Sequence, residues 1–229
     1  MLNLLKHRVV LFNILKDIYK SSLSNLLGFK GGTMAYFFYG LDRFSVDLDF
    51  DILDEKKIDY VKKVLPDILK KYGEIIESYD KYSTLFYLLS YEKKQRQIKI
   101  EISKRNILSN YHLSNFYGID IYIQNIEDAF ATKLLACTTR KKIAYRDFYD
   151  VLFYLKKGVN PNEEIIKKIT GKNLVDYLNY LKEFIEKNVT NQKVIEAIGE
   201  LINEKQKNFL RKDFKNELLS YLNLYLKNI

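Results

Sequence analysis

The sequence contains a single cysteine, Cys137, among 229 residues. One thiol allows no internal disulfide and no cysteine metal cluster, and this is compatible with a reducing compartment. No apolar run reaches the roughly 18 residues that a membrane-spanning helix needs. The opening segment, MLNLLKHRVVLFNILKDIYK, has lysines within its apolar pattern and so differs from a cleavable secretion signal. These features predict a globular protein of the cytoplasm.

Several common functional patterns are also missing from the chain. It has neither a GxxxxGK[ST] P-loop nor a GxGxxG dinucleotide fingerprint. Its two histidines, His7 and His112, have no partner at a metal-ligand spacing. The sequence has no internal repeat and no low-complexity linker. Any nucleotide or metal site is therefore expected to use other residues.

Acidic residues are in the minority. The chain has 38 Lys and Arg against 29 Asp and Glu, which gives a formal charge of +9 and a pI near 9.2. This balance favours a polyanionic partner such as a nucleotide or RNA. The alternative is that lysine-rich helices only keep an aromatic-rich chain in solution.

The periodicity of apolar residues divides the chain into a mixed first part and a helical second part. Apolar residues at helical spacing predict a first helix that begins near Leu4 and ends near Leu27–Gly28. A second helix is predicted over Lys56–Tyr72. The sequence predicts four strands: Ser45–Ile52, Tyr82–Tyr91, Gln97–Ser103 and Ile119–Gln124. We expect an α/β (α+β) fold with a small mixed sheet in residues 1–124, followed by an all-helical half in residues 125–229.

Three aspartates alternate with apolar residues in the segment SVDLDFDI. Side chains two apart on a strand share a face, so Asp47, Asp49 and Asp51 would point one way and the apolar residues into the core. In QIKIEIS the same alternation places Glu101 on a polar face, beside Asp47 and Asp49 if the two strands are neighbours. Such carboxylates suit Mg²⁺. Asp51, near the strand end, is better explained as a solvated acid.

A glycine pair lies shortly before the aspartates. Gly31, Gly32 and Thr33 precede an apolar run that could begin a short helix, with Thr33 near its N-cap. Glycines let backbone amides approach a phosphate closely, so this turn is a candidate triphosphate cradle, although two glycines before a helix often form only a turn. Ser45 is explained equally well as a phosphate or strand-start contact and as a surface serine.

The ordered motifs resemble a known superfamily. GGT followed by RFSVDLDF resembles the first motif of the DNA polymerase beta nucleotidyltransferases, and KGGTMAYFFYGLDRFSVDLDFD is similar to the AbiEii/AbiGii-type toxins of type IV toxin–antitoxin and abortive-infection systems. Three later stretches agree with that family: KIEI with Lys99 and Glu101, AFATKLLACTTR with Lys133, and YRDFYDV with Arg146, Asp147 and Asp150. The resemblance covers roughly Phe29 to Leu155, and the residues after it carry no family signature.

The resemblance implies a polymerase-beta-like core that moves a nucleoside monophosphate from an NTP to an acceptor hydroxyl and releases pyrophosphate. It implies a two-metal site for Mg²⁺, or Mn²⁺, on Asp47, Asp49 and Glu101. The residues it assigns to catalysis are Asp47, Asp49, Glu101, Lys133 and Asp147. The residues it assigns to the nucleotide are Gly31, Gly32, Thr33, Ser45, Lys99, Lys133, Arg146 and Asp150. The helical half would therefore contribute motif residues to the site.

The residues of the helical half also have simpler explanations. Lys133 lies on an apolar stripe, where its ammonium could contact phosphates or extend into solvent. Asp147 and Asp150 could hold Arg146, Arg140 or Lys133, could bind the acceptor, or could form an ordinary salt bridge.

The acceptor and the partners follow from the family alone. Its members suggest RNA as the acceptor, at the 3′ end of tRNA, and a separately encoded antitoxin as a partner. The +9 charge and the 19 tyrosines are compatible with RNA contact, although most tyrosines lie on apolar helix stripes. Two alternatives remain: the same chemistry on a protein or small-molecule acceptor, and a nucleotide-binding regulator that does not turn over.

Overall fold

A computed structural model of the chain describes residues 3–92, 96–105 and 108–229. The chain divides into two compact units. The first comprises Met1–Gly40 and Phe44–Asn125, and the second comprises Leu41–Arg43 and Ile126–Ile229. A short segment before the aspartates thus belongs to the helical unit, which no sequence pattern indicated.

The first unit is built on one sheet. Its described strands are β1 (Leu27–Lys30), β2 (Leu48–Ile52), β3 (Glu74–Lys81), β4 (Thr84–Glu92), β5 (Arg96–Ser103), β6 (Tyr111–Phe116) and β7 (Ile119–Gln124). They form a seven-stranded sheet in the order β3-β4-β5-β2-β1-β7-β6. The sheet is mixed, because β2 pairs with β5 in parallel and with β1 antiparallel. This confirms the predicted α/β class.

The helical stretches described beside the sheet are α1 (Leu4–Tyr19), α2 (Gly31–Met34) continued by a π-helical turn (Ala35–Tyr39), a 3-10 turn (Glu55–Lys57) and α3 (Ile58–Leu69). Each long helix buries residues at helical spacing, for example Leu11, Ile14 and Ile18 of α1. The central strands bury the apolar residues between their polar ones, including Phe50 and Ile100 at 0% exposure. Each such side chain contributes about 1.5–3 kcal/mol on burial, so the acid-bearing strands are fixed by their apolar faces.

The second unit is helical. Its helices are α4 (Ile126–Thr139), α5 (Arg146–Lys156), α6 (Glu163–Thr170), α7 (Leu174–Asn188), α8 (Asn191–Ile198), α9 (Glu204–Lys212) and α10 (Phe214–Lys227). The rings of Phe130 and Tyr154 stack between α4 and α5 with centroids 5.3 Å apart. The Tyr177 hydroxyl donates to the Leu134 carbonyl over 2.7 Å and joins α7 to α4. Among the described residues, no helix combines the length and apolarity needed to cross a membrane.

Several predicted boundaries were wrong. The first helix ends at Tyr19, and Leu27–Lys30 forms a strand instead of a helix end. Strand β2 begins at Leu48, three residues after the predicted Ser45, because the backbone before it is held by side chains rather than by a neighbouring strand. Strands β3 and β6 were not predicted, since β3 is largely exposed and lacks a clean alternation.

Candidate active site

The two acid-bearing strands are neighbours, which was the condition for Glu101 to lie beside the aspartates. Strand β2 lies beside β5 in parallel, with Leu48 opposite Ile100 and Asp49 opposite Glu101. Residues that face each other across a strand pair present their side chains on the same face of the sheet. Asp49 and Glu101 are both partly exposed, whereas Leu48 and Ile100 are fully buried. The sheet therefore presents two neighbouring carboxylates on one accessible face.

Gly31 lies directly against one of these carboxylates. Its φ is +81°, and a Cβ added to it would lie 2.9 Å from the Asp49 Cβ and 3.0 Å from Cγ, with Oδ2 closer still. A side chain at this position would be strained by the backbone angle and would collide with Asp49. The glycine turn and the acid face thus adjoin, as the motif spacing predicted.

Asp47 lies just before β2. Its Oδ1 accepts a hydrogen bond from the Lys99 amide over 3.4 Å, and its backbone carbonyl accepts one from the Thr33 hydroxyl. The Lys99 side chain is exposed. Across residues 3–92, 96–105 and 108–229, no three His, Cys, Asp or Glu side chains converge closely enough to hold a metal ion.

The donor chemistry of this face nevertheless fits a hard divalent cation. Mg²⁺ usually binds one or two protein carboxylates and completes its shell with water and substrate phosphates, rather than occupying a cage made only of protein. Asp49 and Glu101 supply two such carboxylates in register. Gly31 itself has no side chain that would collide with the Asp49 carboxylate.

Asp51 has a different environment from the one predicted. It is 6% exposed rather than solvated. The Lys30 ammonium forms an ion pair with its Oδ1, and the Tyr111 hydroxyl donates to its Oδ2. The Tyr111 ring packs so closely on Gly28 that a Cβ there would lie 2.6 Å from Cδ1. Asp51 is therefore buried because a lysine and a tyrosine compensate its charge.

One expectation about the glycine turn was wrong, and one alternative that the sequence left open is decided. The helix begins at Gly31 with Lys30 as its N-cap, so Thr33 is an interior residue. Thr33 is fully buried and Ser45 is 9% exposed, and the Thr33 hydroxyl lies 3.0 Å from Ser45 Oγ. Thr33 and Ser45 therefore bind each other and the backbone ahead of β2, and Ser45 is not a surface serine. Gly32 is buried as well.

The second unit carries its own cluster of charges. Asp147 and Asp150 are fully buried, and the Lys133 ammonium lies 3.0 Å from the first and 2.8 Å from the second. Arg140 Nε lies 3.0 Å from Asp147 Oδ2. Arg43 donates from Nε and Nη2 to the two oxygens of Asp150, each over 2.6 Å.

This cluster combines several of the predicted residues. Lys133, Asp147, Asp150 and Arg140 contact one another, while Arg146 is partly exposed as the first residue of α5. Asp147 Oδ2 is buried and has no hydrogen-bond partner among the described residues, although Arg140 offers it an ion pair. The predicted roles of these residues toward a nucleotide remain predictions.

The opposite charges within the cluster stabilise each other's ionised forms. Burial alone would raise the pKa of Asp150, but the positive charges of Arg43 and Lys133 outweigh it and hold that pKa below its usual value. Burial alone would lower the pKa of Lys133, but Asp147 and Asp150 outweigh it and raise that pKa. Asp150 and Lys133 are consequently both ionised near neutral pH.

Sequence reasoning missed two residues, Arg43 in the second unit and His7 in the first. Arg43 stands in the stretch RFSVDLDF, but its partner Asp150 is 107 positions away, and no spacing rule links them. His7 of α1 is 1% exposed and contacts Tyr91 and the backbone of Val46. A histidine on the apolar stripe of a helix was the available signal for the second residue.

Comparisons with known proteins identify the family and the fold. A model of the family described as "Nucleotidyl transferase AbiEii toxin, Type IV TA system" matches residues 13–224. A search of curated proteins finds no match. A crystal structure from H. pylori assigned to a nucleotidyltransferase superposes with a TM-score of 0.65 at 24% identity, covering 100% of this chain and 96% of that one. The JHP933 protein of Helicobacter pylori superposes with a TM-score of 0.63 at 23% identity, covering 100% and 94%.

These two structures share the fold, and the family match spans nearly all of the chain. The protein therefore belongs to the AbiEii nucleotidyl transferase toxin family of type IV toxin–antitoxin systems and is a nucleotidyltransferase.

Proposed function

We propose that this nucleotidyltransferase uses Mg²⁺, or Mn²⁺ in its place, to transfer a nucleoside monophosphate from an NTP to a hydroxyl at the 3′ end of tRNA. The observation that carries the proposal is the parallel register of Asp49 with Glu101, next to a glycine whose missing side chain leaves room for the Asp49 carboxylate. Asp47, two residues before Asp49, is the third proposed ligand; its carboxylate accepts from the Lys99 amide and would have to turn toward the pair, since no three acids converge among the described residues.

The reaction can be written on these residues. The acceptor oxygen attacks the α-phosphorus in line, its new bond to phosphorus forms as the bond to the pyrophosphate oxygen breaks, and pyrophosphate leaves. Glu101 accepts the proton of the acceptor hydroxyl. When bound, Mg²⁺ on Asp47, Asp49 and Glu101 would compensate negative charge on the triphosphate and on the reacting oxygens. The backbone of Gly31 and Gly32 offers close approach to a phosphate because neither residue has a side chain.

The choice of RNA as acceptor is supported by charge. A chain of formal charge +9 attracts a polyanion and repels a polycation. The AbiEii family further implies an NTP as substrate and an antitoxin as partner. A protein or small-molecule acceptor is the alternative, and labelled product distinguishes it from RNA.

The test is a transfer assay with four α-³²P-labelled NTPs, Mg²⁺, and either total tRNA or a cell extract. We expect label on RNA, and we expect Asp49→Asn to lower transfer by about 100-fold or more. The same variant should fold as well as the unaltered chain, because it removes one of two like charges in register. Asp120→Asn, an exposed aspartate on β7 of the same sheet, should retain transfer.

Three outcomes would contradict parts of this proposal. Label on protein would exclude RNA as the acceptor. Full transfer by Asp49→Asn would exclude the acid face as the site. An absence of transfer to any acceptor with either metal would favour a nucleotide-binding regulator.

A further inference from the structure

The backbone that carries Asp47 is held differently from the backbone that carries Asp49. Asp49 lies inside the sheet, opposite Lys30 on one side and Glu101 on the other. Asp47 lies before the first ladder pair of β2, in a stretch without regular secondary structure. The ladder therefore fixes the backbone of Asp49 but not that of Asp47, whose Oδ1 accepts from the Lys99 amide of β5 over 3.4 Å, and other contacts must position the Asp47 backbone.

Side chains supply these contacts. His7 of α1 places Nε2 2.9 Å from the Val46 carbonyl, one residue before Asp47. Because a carbonyl oxygen only accepts, Nε2 carries the hydrogen and donates it. One residue further along the chain, the Thr33 hydroxyl donates to the Asp47 carbonyl. The carbonyls on either side of the Asp47 Cα are thus both bound by side chains.

The orientation of His7 is itself fixed. Its Nδ1 lies 2.7 Å from the Tyr91 hydroxyl of β4, and its ring packs edge-on against Tyr91 and Phe44, with centroids 5.4 Å and 5.8 Å away. The imidazole is 1% exposed, and burying it would be costly without these hydrogen bonds. His7 is therefore held rigidly from β4 and presents a donor to the backbone ahead of β2.

We propose that His7, held by Tyr91, is a positioning residue that sets the Asp47 carboxylate for a divalent cation. The proposal depends on the metal role of Asp47 given above. The mechanism is indirect: His7 touches neither cation nor nucleotide, and acts on Asp47 through the Val46 carbonyl. Residues that orient metal ligands in this way typically change metal affinity by about 10- to 100-fold when they are replaced.

The test measures Mn²⁺ binding to the purified full chain by electron paramagnetic resonance of unbound Mn²⁺, which requires no turnover. His7→Phe keeps a ring but removes both hydrogen bonds, and it should weaken Mn²⁺ binding about 10-fold or more. His7→Gln retains an amide donor in place of Nε2 and should restore binding to within about 3-fold. The thermal midpoint of each variant is recorded in parallel.

Two further variants complete the design. His112→Phe replaces an exposed histidine that hydrogen-bonds Asn125 over 2.6 Å, and it should leave Mn²⁺ affinity unchanged. Tyr91→Phe removes only the hydroxyl and should weaken Mn²⁺ binding in the same direction as His7→Phe, to a smaller extent. If His7→Phe does not fold, the result for Tyr91→Phe decides the question.

The possible results separate this inference from the proposed function. If Asp47→Asn binds Mn²⁺ as tightly as the unaltered chain, or if the unaltered chain binds none, the proposed metal site is wrong. If Asp47→Asn weakens binding but folded His7→Phe and Tyr91→Phe do not, only the role of His7 is wrong. If His7→Phe weakens Mn²⁺ binding and His7→Gln does not restore it, the role of His7 is also wrong, because a hydrogen-bond donor to the Val46 carbonyl would then not be what positions Asp47.

Discussion

At the scale of single residues, Gly31 is the position where backbone and site depend on each other most directly. Its φ of +81° favours glycine, and its missing Cβ leaves room for Asp49. Gly118 has nearly the same angle, +79°, with no atom within 4 Å of its added Cβ. A side chain at either position would therefore carry the conformational cost of a positive φ. Only at Gly31 would it also collide with a carboxylate.

We therefore predict that Gly31→Ala abolishes nucleotide transfer and that Gly118→Ala retains it. Both variants should lose about 1–2 kcal/mol of unfolding free energy from the positive φ, and Gly31→Ala should lose more because Asp49 must move. Urea unfolding and the transfer assay measure these effects. Equal activity of the two variants would contradict the close approach of Gly31 to Asp49.

Asp150 is a second informative residue, because two cations depend on it. It is fully buried and binds both Arg43 and Lys133. Asp150→Asn would leave these buried cations with less compensation and should cost about 3–5 kcal/mol in unfolding free energy. Asp59→Asn breaks a pair with Lys62 in which the Asp59 side chain is 89% exposed, and it should cost less than about 1 kcal/mol.

The cost of Asp150→Asn should also depend on pH. The pKa of Asp150 is lowered from its usual 3.8, so the carboxylate stabilises the fold fully above that value. Its contribution is lost as the pH falls through the lower pKa of the folded state. The difference between the variant and the unaltered chain should be largest near pH 7 and should shrink below about pH 3.8. A difference that stays constant to lower pH would contradict the ion-pair explanation.

These residues also show what a sequence can predict about a site. The face shared by Asp49 and Glu101 follows from period-two alternation on two strands, provided that the strands are neighbours, as the structure shows them to be. The bond from Arg43 to Asp150 joins positions 107 apart, and no local pattern determines such a contact. Asp51 was predicted to be solvated because alternation reveals the face of a residue, but not that Lys30 and Tyr111 cover it.

At the scale of elements, the sequence predicted the interiors better than the ends. The strand Ile119–Gln124 was predicted with its observed bounds, because turn residues flank an alternating run. Strand β2 was predicted three residues too long, since Ser45–Asp47 alternate like a strand but bind His7 and Thr33 instead. Tertiary hydrogen bonds of this kind override a local period.

Helix caps in the second unit allow an element-scale prediction. Asn162 caps α6 by accepting from the Glu164 amide over 3.0 Å, and its Nδ2 donates to the buried Asp128 over 2.6 Å. Asn173 caps α7 by accepting from the Asp176 amide over 2.8 Å, at an exposed position. The first cap therefore also joins α6 to α4, whereas the side-chain bonds described for the second stay at the start of its own helix.

We expect Asn173→Ala to cost about 1 kcal/mol of unfolding free energy, the usual value of a lost cap. Asn162→Ala should cost about 1.5–3 kcal/mol more, because it also removes a hydrogen bond to a buried carboxylate. Asn162→Ser retains a capping oxygen and should recover only the stability that the cap contributes, not that of the hydrogen bond to Asp128. Urea unfolding of the three variants gives these differences, and equal costs for the two alanine variants would contradict the link to α4.

At the scale of the whole molecule, the chain passes between its two units more than once. It leaves the first unit at Gly40, returns at Phe44, and leaves again at Asn125. The inserted segment is held in the second unit by Arg43 and by Asp42, whose Oδ1 accepts from the Tyr149 hydroxyl over 3.0 Å. A division at residue 124 was the expectation from sequence, and composition could not reveal that three earlier residues belong with the later helices.

The formal charge of +9 is also a property of the whole molecule, and it supports the last prediction. If the acceptor is tRNA, binding should release counterions, so its logarithmic affinity should fall linearly with the logarithm of salt concentration. About four phosphate contacts would weaken binding on the order of 100-fold between 50 and 200 mM salt. Fluorescence anisotropy of labelled tRNA with Asp49→Asn measures this without turnover. Affinity that does not change with salt would show that the positive charge of the chain serves solubility rather than RNA, and it would direct the search toward a small-molecule or protein acceptor.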